Sequence, residues 1–272
     1  MKKERVDVLL VNRGLCETRE KAKRSVMAGL VYSGTNRMDK PGEKIEQDAP
    51  LQVKGDVIPY VGRGGLKLEK ALQIFDFDVK EKIGMDIGAS TGGFTDCALQ
   101  NGASYIYAID VGYNQLAWKL RNDSRVAVME RTNFRYVTPD QLQQGIPHFA
   151  TIDVSFISLR IILPVLTQLM PTGDVIALIK PQFEAGREEV GKKGIVRDPK
   201  VHKRVIEEIT DFARKTGINP VALSFSPITG GDGNIEFLMH GKVNNEDFQT
   251  ITSENIEEVV KSAHETLKKE RE

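Results

Sequence analysis

Cysteine is scarce in this 272-residue chain: Cys16 and Cys97 lie far apart, with no partnering motif around either. Two isolated thiols supply neither a disulfide framework nor a thiolate metal site, so the chain is expected to require no metal and to suit a reducing cytoplasm. Long apolar runs are missing too. The most apolar segment, 154–169, carries Arg160 and Pro164 and falls short of the roughly 18 uncharged residues that span a bilayer. Near the start, Asp7 breaks the short apolar stretch that a secretion signal requires. A soluble protein with no membrane partner is expected. Net charge is absent as well, with 38 basic and 38 acidic residues, and no repeat or low-complexity tract is visible. What is present, 40% apolar and 28% charged residues, is a globular balance that excludes a disordered chain or a collagen.

The neutral total hides an asymmetry: residues 1–40 hold ten basic and five acidic side chains, against 28 and 33 in the remainder. Val6, Leu9 and Leu10 recur at helical spacing up to Gly14, and Thr18 begins a second helix through 21–27. The period then shortens to two. Residues 30–32, 43–45 and 51–53 read as short strands separated by turns containing Gly and Pro. A Gly- and Pro-rich break predicts a small α+β domain over 1–59, a linker over 60–65 and a larger domain over 66–272.

In the larger domain strand and helix patterns alternate, which predicts an α/β fold whose mostly parallel sheet is covered on both faces. Strands are expected over 83–87, 104–110, 125–130, 149–154 and 175–180. Helices are expected over 94–101, 115–121, 159–170 and 203–216, and from Ser253 onward. Residues 220–226 and 235–243 flank a Gly-rich loop and read as an antiparallel hairpin that brings the sheet to seven strands.

The segment Met85-Asp86-Ile87-Gly88-Ala89-Ser90-Thr91-Gly92-Gly93-Phe94 runs from the first strand of this domain into a helix. Doubly wound folds bind nucleotide-like ligands at that turn. Ser90 stands where a dinucleotide fingerprint needs its second glycine, which disfavours NAD. Asp110 ends the next strand 24 residues after Asp86, close to the spacing of a carboxylate that holds ribose hydroxyls. An adenosine cofactor without pyrophosphate, S-adenosylmethionine, fits both features. Gly88-Ala89-Ser90-Thr91-Gly92 also matches the nucleophile elbow of serine hydrolases, with Asp153 and then His202 or His240 in the required order. Against this rival, no earlier strand supplies an oxyanion loop, and the elbow has no use for Asp86.

Asp153 and Lys180 each stand at the carboxyl end of an apolar strand, where the ligand crevice of an open α/β sheet lies. Glu236 opens the last strand and reaches the same edge if that strand is antiparallel. Lys67 lies in Gly62-Arg63-Gly64-Gly65-Leu66-Lys67-Leu68, a Gly-rich entry to the helix ending near Phe75. Singly, each is an ordinary surface charge. In combination, the chain resembles the TlyA family of hemolysin-like ribosomal RNA 2'-O-ribose methyltransferases, whose catalytic domain is FtsJ-like. The likeness covers nearly the whole chain. It rests on residues 62–68 and 86–95, Asp153-Val154-Ser155-Phe156, Lys180-Pro181-Gln182-Phe183 and Gly233-Asn234-Ile235-Glu236-Phe237.

The resemblance implies a Rossmann-like methyltransferase fold, S-adenosylmethionine as cofactor, ribosomal RNA or ribosomal subunits as partners, and a cytidine ribose as target. It makes Lys67, Asp153, Lys180 and Glu236 the catalytic tetrad. Asp86 and the backbone of Gly88, Ala89, Ser90, Thr91, Gly92, Gly93 and Phe94 would cradle the methionine end, with Asp153 beside it. Asp110 would hold the ribose, and Asn133 would lie near the adenine. A ribose hydroxyl is a poor nucleophile, so the transfer needs alignment and a base. Lys180 is expected to take the proton, Lys67 to orient Lys180 and ease its deprotonation, and Asp153 and Glu236 to fix the geometry. The charged, Gly-containing segment 184–198 is expected to form a mobile cover. Two further alternatives are a lytic protein, suggested by the hemolysin label, and a non-catalytic RNA-binding module. The first lacks a spanning segment, and the second has no need of four crevice residues.

Arg5, Arg13, Arg19, Lys21, Lys23 and Arg24 are expected to lie on the two predicted amino-terminal helices, where a basic face can engage phosphates without reading sequence. The pattern through Ala28-Gly29-Leu30-Val31-Tyr32 resembles the small RNA-binding domain of ribosomal small-subunit protein four, the S-four domain. It departs at Ser33-Gly34, where that family often has asparagine before the glycine. Such a module grips structured RNA by shape and phosphate contacts, and would present one ribose to the methyl-transfer crevice.

Overall fold

The computed structural model of the protein describes residues 3–27, 29–54, 58–191, 193–230, 233–244 and 251–269. The chain divides into two compact units, Met1–Pro59 and Tyr60–Glu272. In the first, β1 (Lys3–Arg5) leads into α1 (Val6–Asn12) and α2 (Arg19–Met27), followed by β2 (Val31–Ser33), β3 (Asn36–Arg37), β4 (Lys44–Glu46) and β5 (Gln52–Val53). β1 pairs antiparallel with β4, and β2 lies between β3 and β5. Val6, Leu10, Ala22, Val26 and Val31 pack as the core of this unit. β1 and β3, absent from the sequence reading, are Lys-Glu-Arg and Asn-Arg. Neither shows an apolar alternation, so their extension comes from pairing rather than from a side-chain pattern.

Asp7 is fully buried in this unit. Arg5 donates to both its carboxylate oxygens at 2.9 Å, and Arg19 adds a third bond at 3.1 Å. The Arg5 hydrogen bonds, with those of Arg19, hold the Asp7 carboxyl below its ordinary value despite burial.

The second unit contains α3 (Gly64–Ile74), β6 (Ile83–Ile87), α4 (Gly93–Gln100), β7 (Tyr105–Ile109), α5 (Trp118–Arg121), β8 (Val126–Met129) and β9 (Phe149–Ile152). It continues through α6 (Leu159–Leu169), β10 (Gly173–Ile179), α7 (Pro181–Glu184), α8 (Pro199–Lys215), β11 (Ile218–Phe225), β12 (Phe237–Val243) and α9 (Ser253–Lys269). The seven-stranded sheet has the order β11-β12-β10-β9-β6-β7-β8. All its pairings are parallel except β10–β12 and β11–β12. This is the expected Rossmann-like sheet, closed by an antiparallel hairpin.

Both faces of the sheet are covered, which explains the continuous apolar runs of its strands. Met85, Ile87, Tyr107, Ala177 and Ile179 face a core shared with α6, α8 and α9, while Ile106, Ala108, Ile176 and Leu178 face one shared with α3 and α4. The chain builds β6, β7 and β8 in one direction, then returns to lay β9 and β10 on the other side of β6. The carboxyl ends of β6 and β9 therefore flank the switch point where such sheets bind ligands.

Two helix boundaries depart from expectation. α5 begins at Trp118 rather than Gln115, because the backbone N–H groups of Asn114, Gln115 and Leu116 donate to the Glu130 carboxylate at 2.9, 2.9 and 3.2 Å. α8 begins at Pro199 rather than Lys203, because the Asp198 side chain caps it through Lys200 N. Among the described residues no helix is long and apolar enough to cross a membrane.

Candidate active site

Three neighbouring strands deliver charge to one edge of the sheet. Asp153 follows β9 and Lys180 follows β10, while Glu236 immediately precedes β12. Because β12 is antiparallel and its Phe237 sits opposite Ile179, Glu236 comes level with Lys180. The fourth charge, Lys67, comes from the first turns of α3. A close crossing of α3 and α4 fixes its place: a Cβ at Gly93 would lie 2.8 Å from Gly65 N and 3.1 Å from Gly62 O. Glycine at 93 is thus a packing requirement.

The four side chains form one ionic array. Lys67 Nζ donates to Glu236 Oε2 at 2.7 Å and to Asp153 Oδ2 at 3.1 Å. The other Asp153 oxygen lies 2.5 Å from Lys180 Nζ, which also donates to Ser155 Oγ at 3.2 Å. Lys67, Lys180 and Glu236 are below 10% exposed and Asp153 is 18% exposed. Two cations against two anions leave the buried cluster neutral. Burial works against charge on Lys67, but Asp153 and Glu236 outweigh it and hold the ammonium above its ordinary value. Burial likewise opposes charge on Asp153, and Lys67 and Lys180 overcome it, so that carboxyl lies below its ordinary value. Both groups stay ionised through the neutral range.

A cavity of about 360 Å³ opens over this array, walled by the glycine loop, Lys67, Asp153, Lys180 and Glu236. A second, of about 420 Å³, adjoins it across Gly88, Ser90, Asp153, Ser155 and Phe156, and reaches Asp110, Asn133 and Phe134. Gly88 lies between them with φ +86°, and a Cβ there would stand 2.5 Å from the Asp153 carbonyl oxygen, so only glycine lets β6 and β9 end this close. Asp110 accepts from Ser90 N at 2.8 Å and Gly112 N at 2.6 Å, fixing the glycine loop. Asp86 lies beneath the loop and accepts from Thr95 N and Oγ1 at 2.9 and 2.6 Å. Burial pushes its carboxyl up to about 7. Asn133 Oδ1 accepts from Arg135 N at 3.1 Å, capping the turn over Phe134–Tyr136 while also lining the second cavity.

This arrangement agrees with what the sequence matches. Residues 60–243 match the model of the FtsJ-like methyltransferase family, and residues 4–49 match the S4 domain. The chain belongs to the FtsJ-like methyltransferase family, in its TlyA branch. YqxC of Bacillus subtilis (strain 168) is 66% identical over 273 residues, 99% of this chain and 97% of that one. The 16S/23S rRNA (cytidine-2'-O)-methyltransferase TlyA of Mycobacterium tuberculosis (strain ATCC 25618 / H37Rv) is 40% identical over 88% of this chain and 89% of its own. A solved structure from Streptococcus thermophilus, 55% identical, superimposes with a TM-score of 0.78 over 100% of this chain and 99% of that one.

The serine-hydrolase arrangement is not assembled in this methyltransferase. Ser90 is exposed in the glycine loop, and Asp153 is engaged by two lysines. His202 pairs with His264 at 3.0 Å and with Val196 O at 3.1 Å, and burial, aided by His264, pushes it down to about 4. His240 pairs with Asp174 at 2.8 Å, at the opposite end of β10 from Lys180. The 184–198 segment, expected to be mobile, is pinned by Asn234, which accepts from Val196 N at 3.0 Å and donates to Gly194 O at 2.8 Å. Lys192, within it, lies outside the described residues.

Sequence reasoning missed Glu184. Its carboxylate accepts from Ser158 Oγ at 2.6 Å, Leu159 N at 2.7 Å and Arg160 Nη1 at 3.2 Å, tying the start of α6 to α7. Asp153, Ser155 and Phe156 precede the first of these segments, and Lys180 precedes the second. Burial raises the carboxyl above its ordinary value. Glu184→Ala should lower stability by about 2 kcal/mol and slow methyl transfer, as removing the acceptor strands buried donors. Glu184→Gln, which keeps an acceptor, should recover much of both. Thermal melts and transfer rates of the two variants test this, and a wild-type Glu184→Ala would contradict it.

Proposed function

We propose that the protein transfers a methyl group from S-adenosylmethionine to the 2'-hydroxyl of a cytidine ribose in ribosomal RNA. The observation that carries this reading is the Lys67–Asp153–Lys180–Glu236 array, which walls the first cavity and reaches the second through Asp153. The second cavity suits the cofactor: it has a carboxylate at Asp110 for ribose hydroxyls, an apolar wall at Phe134 and a side that a Cβ at Gly88 would disrupt. Asp110, Asn133 and the 88–94 backbone would hold the cofactor, which supplies an electrophilic methyl when bound. The first cavity, with the array, then receives the ribose.

Within the array Lys67 answers two carboxylates and stays a cation, whereas Lys180 answers one carboxylate and a hydroxyl. Lys180 in its neutral form therefore takes the 2'-hydroxyl proton, with Asp153 orienting its amine. Lys67, held beside Asp153 and Glu236, fixes the Asp153 carboxylate whose other oxygen meets the Lys180 amine. The cytidine assignment rests on the family, whose mycobacterial member bears that substrate in its name.

The S4 domain supplies RNA contact. Of its six candidate cations, Arg5 and Arg19 are committed to Asp7. Arg13 donates to the backbone carbonyls of Ala49, at 2.7 Å, and Gln47. Lys21 and Lys23 make only long exposed pairs, each at 3.5 Å, and Arg24 is exposed with no ionic partner among the described residues. Arg24→Ala should therefore weaken binding to ribosomal RNA and shallow its salt dependence by about one ion without shifting the melting temperature. Arg5→Ala should lower the melting temperature. Binding isotherms across salt, run beside melts, separate the two, and equal melting losses would refute the division. The parent reading is tested by incubating the protein with methyl-labelled S-adenosylmethionine and either naked ribosomal RNA or isolated subunits. Label should enter RNA in at least one preparation. No label in either, with no cofactor binding by calorimetry, would overturn the reading.

A further inference from the structure

Gln182 stands two residues beyond Lys180, in α7. Its Oε1 is buried with no hydrogen-bond partner, the only such side-chain nitrogen or oxygen among the described residues. A bare buried carbonyl is costly and calls for an explanation. Gln182 lines the cavity over the lysine array, and it also lines a third cavity of about 770 Å³. Phe156 and Phe183 are common to both, so the two spaces adjoin at Gln182.

The third cavity has the chemistry of a nucleobase site. Phe156 is 91% exposed, and its ring lies 5.0 Å from that of Phe183, presenting aromatic surface to the opening. Ile157, Ile161 and Val190 extend the apolar wall, and the exposed Arg135 and Arg187 supply positive charge at its edge. A planar, weakly hydrated ring with a phosphate on either side of its sugar matches that combination. Phe156 holds φ +62°, a backbone conformation that a bulky residue adopts only where its surroundings enforce it.

We propose that this third cavity takes the base of the nucleotide whose 2'-hydroxyl faces Lys180. In it the Gln182 side chain turns its carbonyl, buried and unpaired in this structure, toward the base's exocyclic amine, accepts a hydrogen bond from it and so selects cytosine over uracil. The inference rests on the methyltransferase reading above and names the residue that sets its base preference. Cytosine offers an N–H at position 4, and uracil offers a carbonyl oxygen there. With uracil, Oε1 would face another acceptor and remain unpaired, which is how a polar site rejects a ligand of the same shape.

The test uses the full chain and a ribosomal RNA substrate whose methylated position has been mapped, prepared with cytidine or with uridine at that position. Wild type should methylate the cytidine substrate on the order of tenfold faster or more, the discrimination expected of a well-made base contact. Gln182→Leu should bring the two rates close together, chiefly by losing the cytidine advantage, while Gln182→Glu, which keeps a carboxylate acceptor, should retain the preference. If Gln182→Leu fails to fold, Gln182→Glu decides the matter alone, since loss of the preference there contradicts an acceptor role. A Gln182→Leu enzyme that folds and keeps the wild-type ratio overturns the proposal, as does a wild type indifferent to the base. Failure of the parent reading looks different: wild type would then transfer no methyl to either substrate.

Discussion

Lys180→Ala should reduce methyl transfer by about a thousandfold, within the range ascribed to a positioned general base. RNA binding and cofactor binding should be retained. The loss belongs in kcat because Lys180 Nζ acts on a proton that leaves only as the hydroxyl attacks, and contributes little to holding the substrate. Lys180→Arg is the sharper variant. A guanidinium preserves the positive charge beside Asp153 but does not release its proton in a protein, so it should be as inactive as alanine while keeping more of the stability. Single-turnover rates with saturating RNA read this directly. An arginine variant with near wild-type rate would show that Lys180 serves as a fixed cation, and the base would have to be sought elsewhere.

The second large effect is on Asp153, whose two oxygens serve two different lysines. Asp153→Ala removes the counter-ion shared by two buried ammonium groups, and breaking a buried pair in this way costs about 3 kcal/mol or more. In a unit of this size that corresponds to a fall of about 10 °C in melting temperature. Removing Lys180 as well should restore part of the loss, because fewer unpaired charges remain; a double-mutant cycle with Lys180→Met measures the coupling. Additive losses would mean that the ion pair contributes nothing of its own.

The pH dependence follows from the same contacts. Asp153 lies below its ordinary 3.8, so its stabilising contribution is present above that value and is lost as pH falls through the lower folded value. Lys67 lies above its ordinary 10.5, so its contribution is full below that value and is lost as pH rises through the higher folded one. The stability difference between wild type and Asp153→Ala should therefore be flat between those limits and shrink only in strong acid or strong base. Melts across pH check this, and a difference that changes steeply near neutrality would contradict it.

Much of this site was legible in the sequence because it depends on strand ends. Asp153 and Lys180 each terminate a run of apolar residues, and a parallel sheet brings such ends to one edge. Glu236 required an additional condition, an antiparallel last strand, and the pairing of Phe237 with Ile179 meets it. Lys67 carried no local signal of its own, being a lysine on an amphipathic helix. Its place depends on how Gly93 lets α4 approach Gly65 at the start of α3, a contact between residues 28 apart in the chain.

What escaped the sequence has a common physical cause. Glu130, Glu184 and Asp7 are carboxylates that bind backbone N–H groups or guanidiniums brought up by folding, and no periodicity records such a partner. Glu130 therefore displaced the predicted start of α5. Asp7, which in the sequence only interrupts an apolar stretch, proved to hold Arg5 and Arg19. The Gln182 carbonyl is visible only as a bond that is missing.

The most direct measurement of the central claim is alkaline digestion of ribosomal RNA labelled by the wild-type protein from methyl-labelled S-adenosylmethionine. Alkali cleaves RNA through the free 2'-hydroxyl, so a methyl on that oxygen protects the adjoining phosphodiester. Label in alkali-resistant dinucleotides, with cytidine as the methylated member, is the expected result. Label released in mononucleotides would place the methyl on a base and contradict the assignment of the lysine array to a ribose hydroxyl.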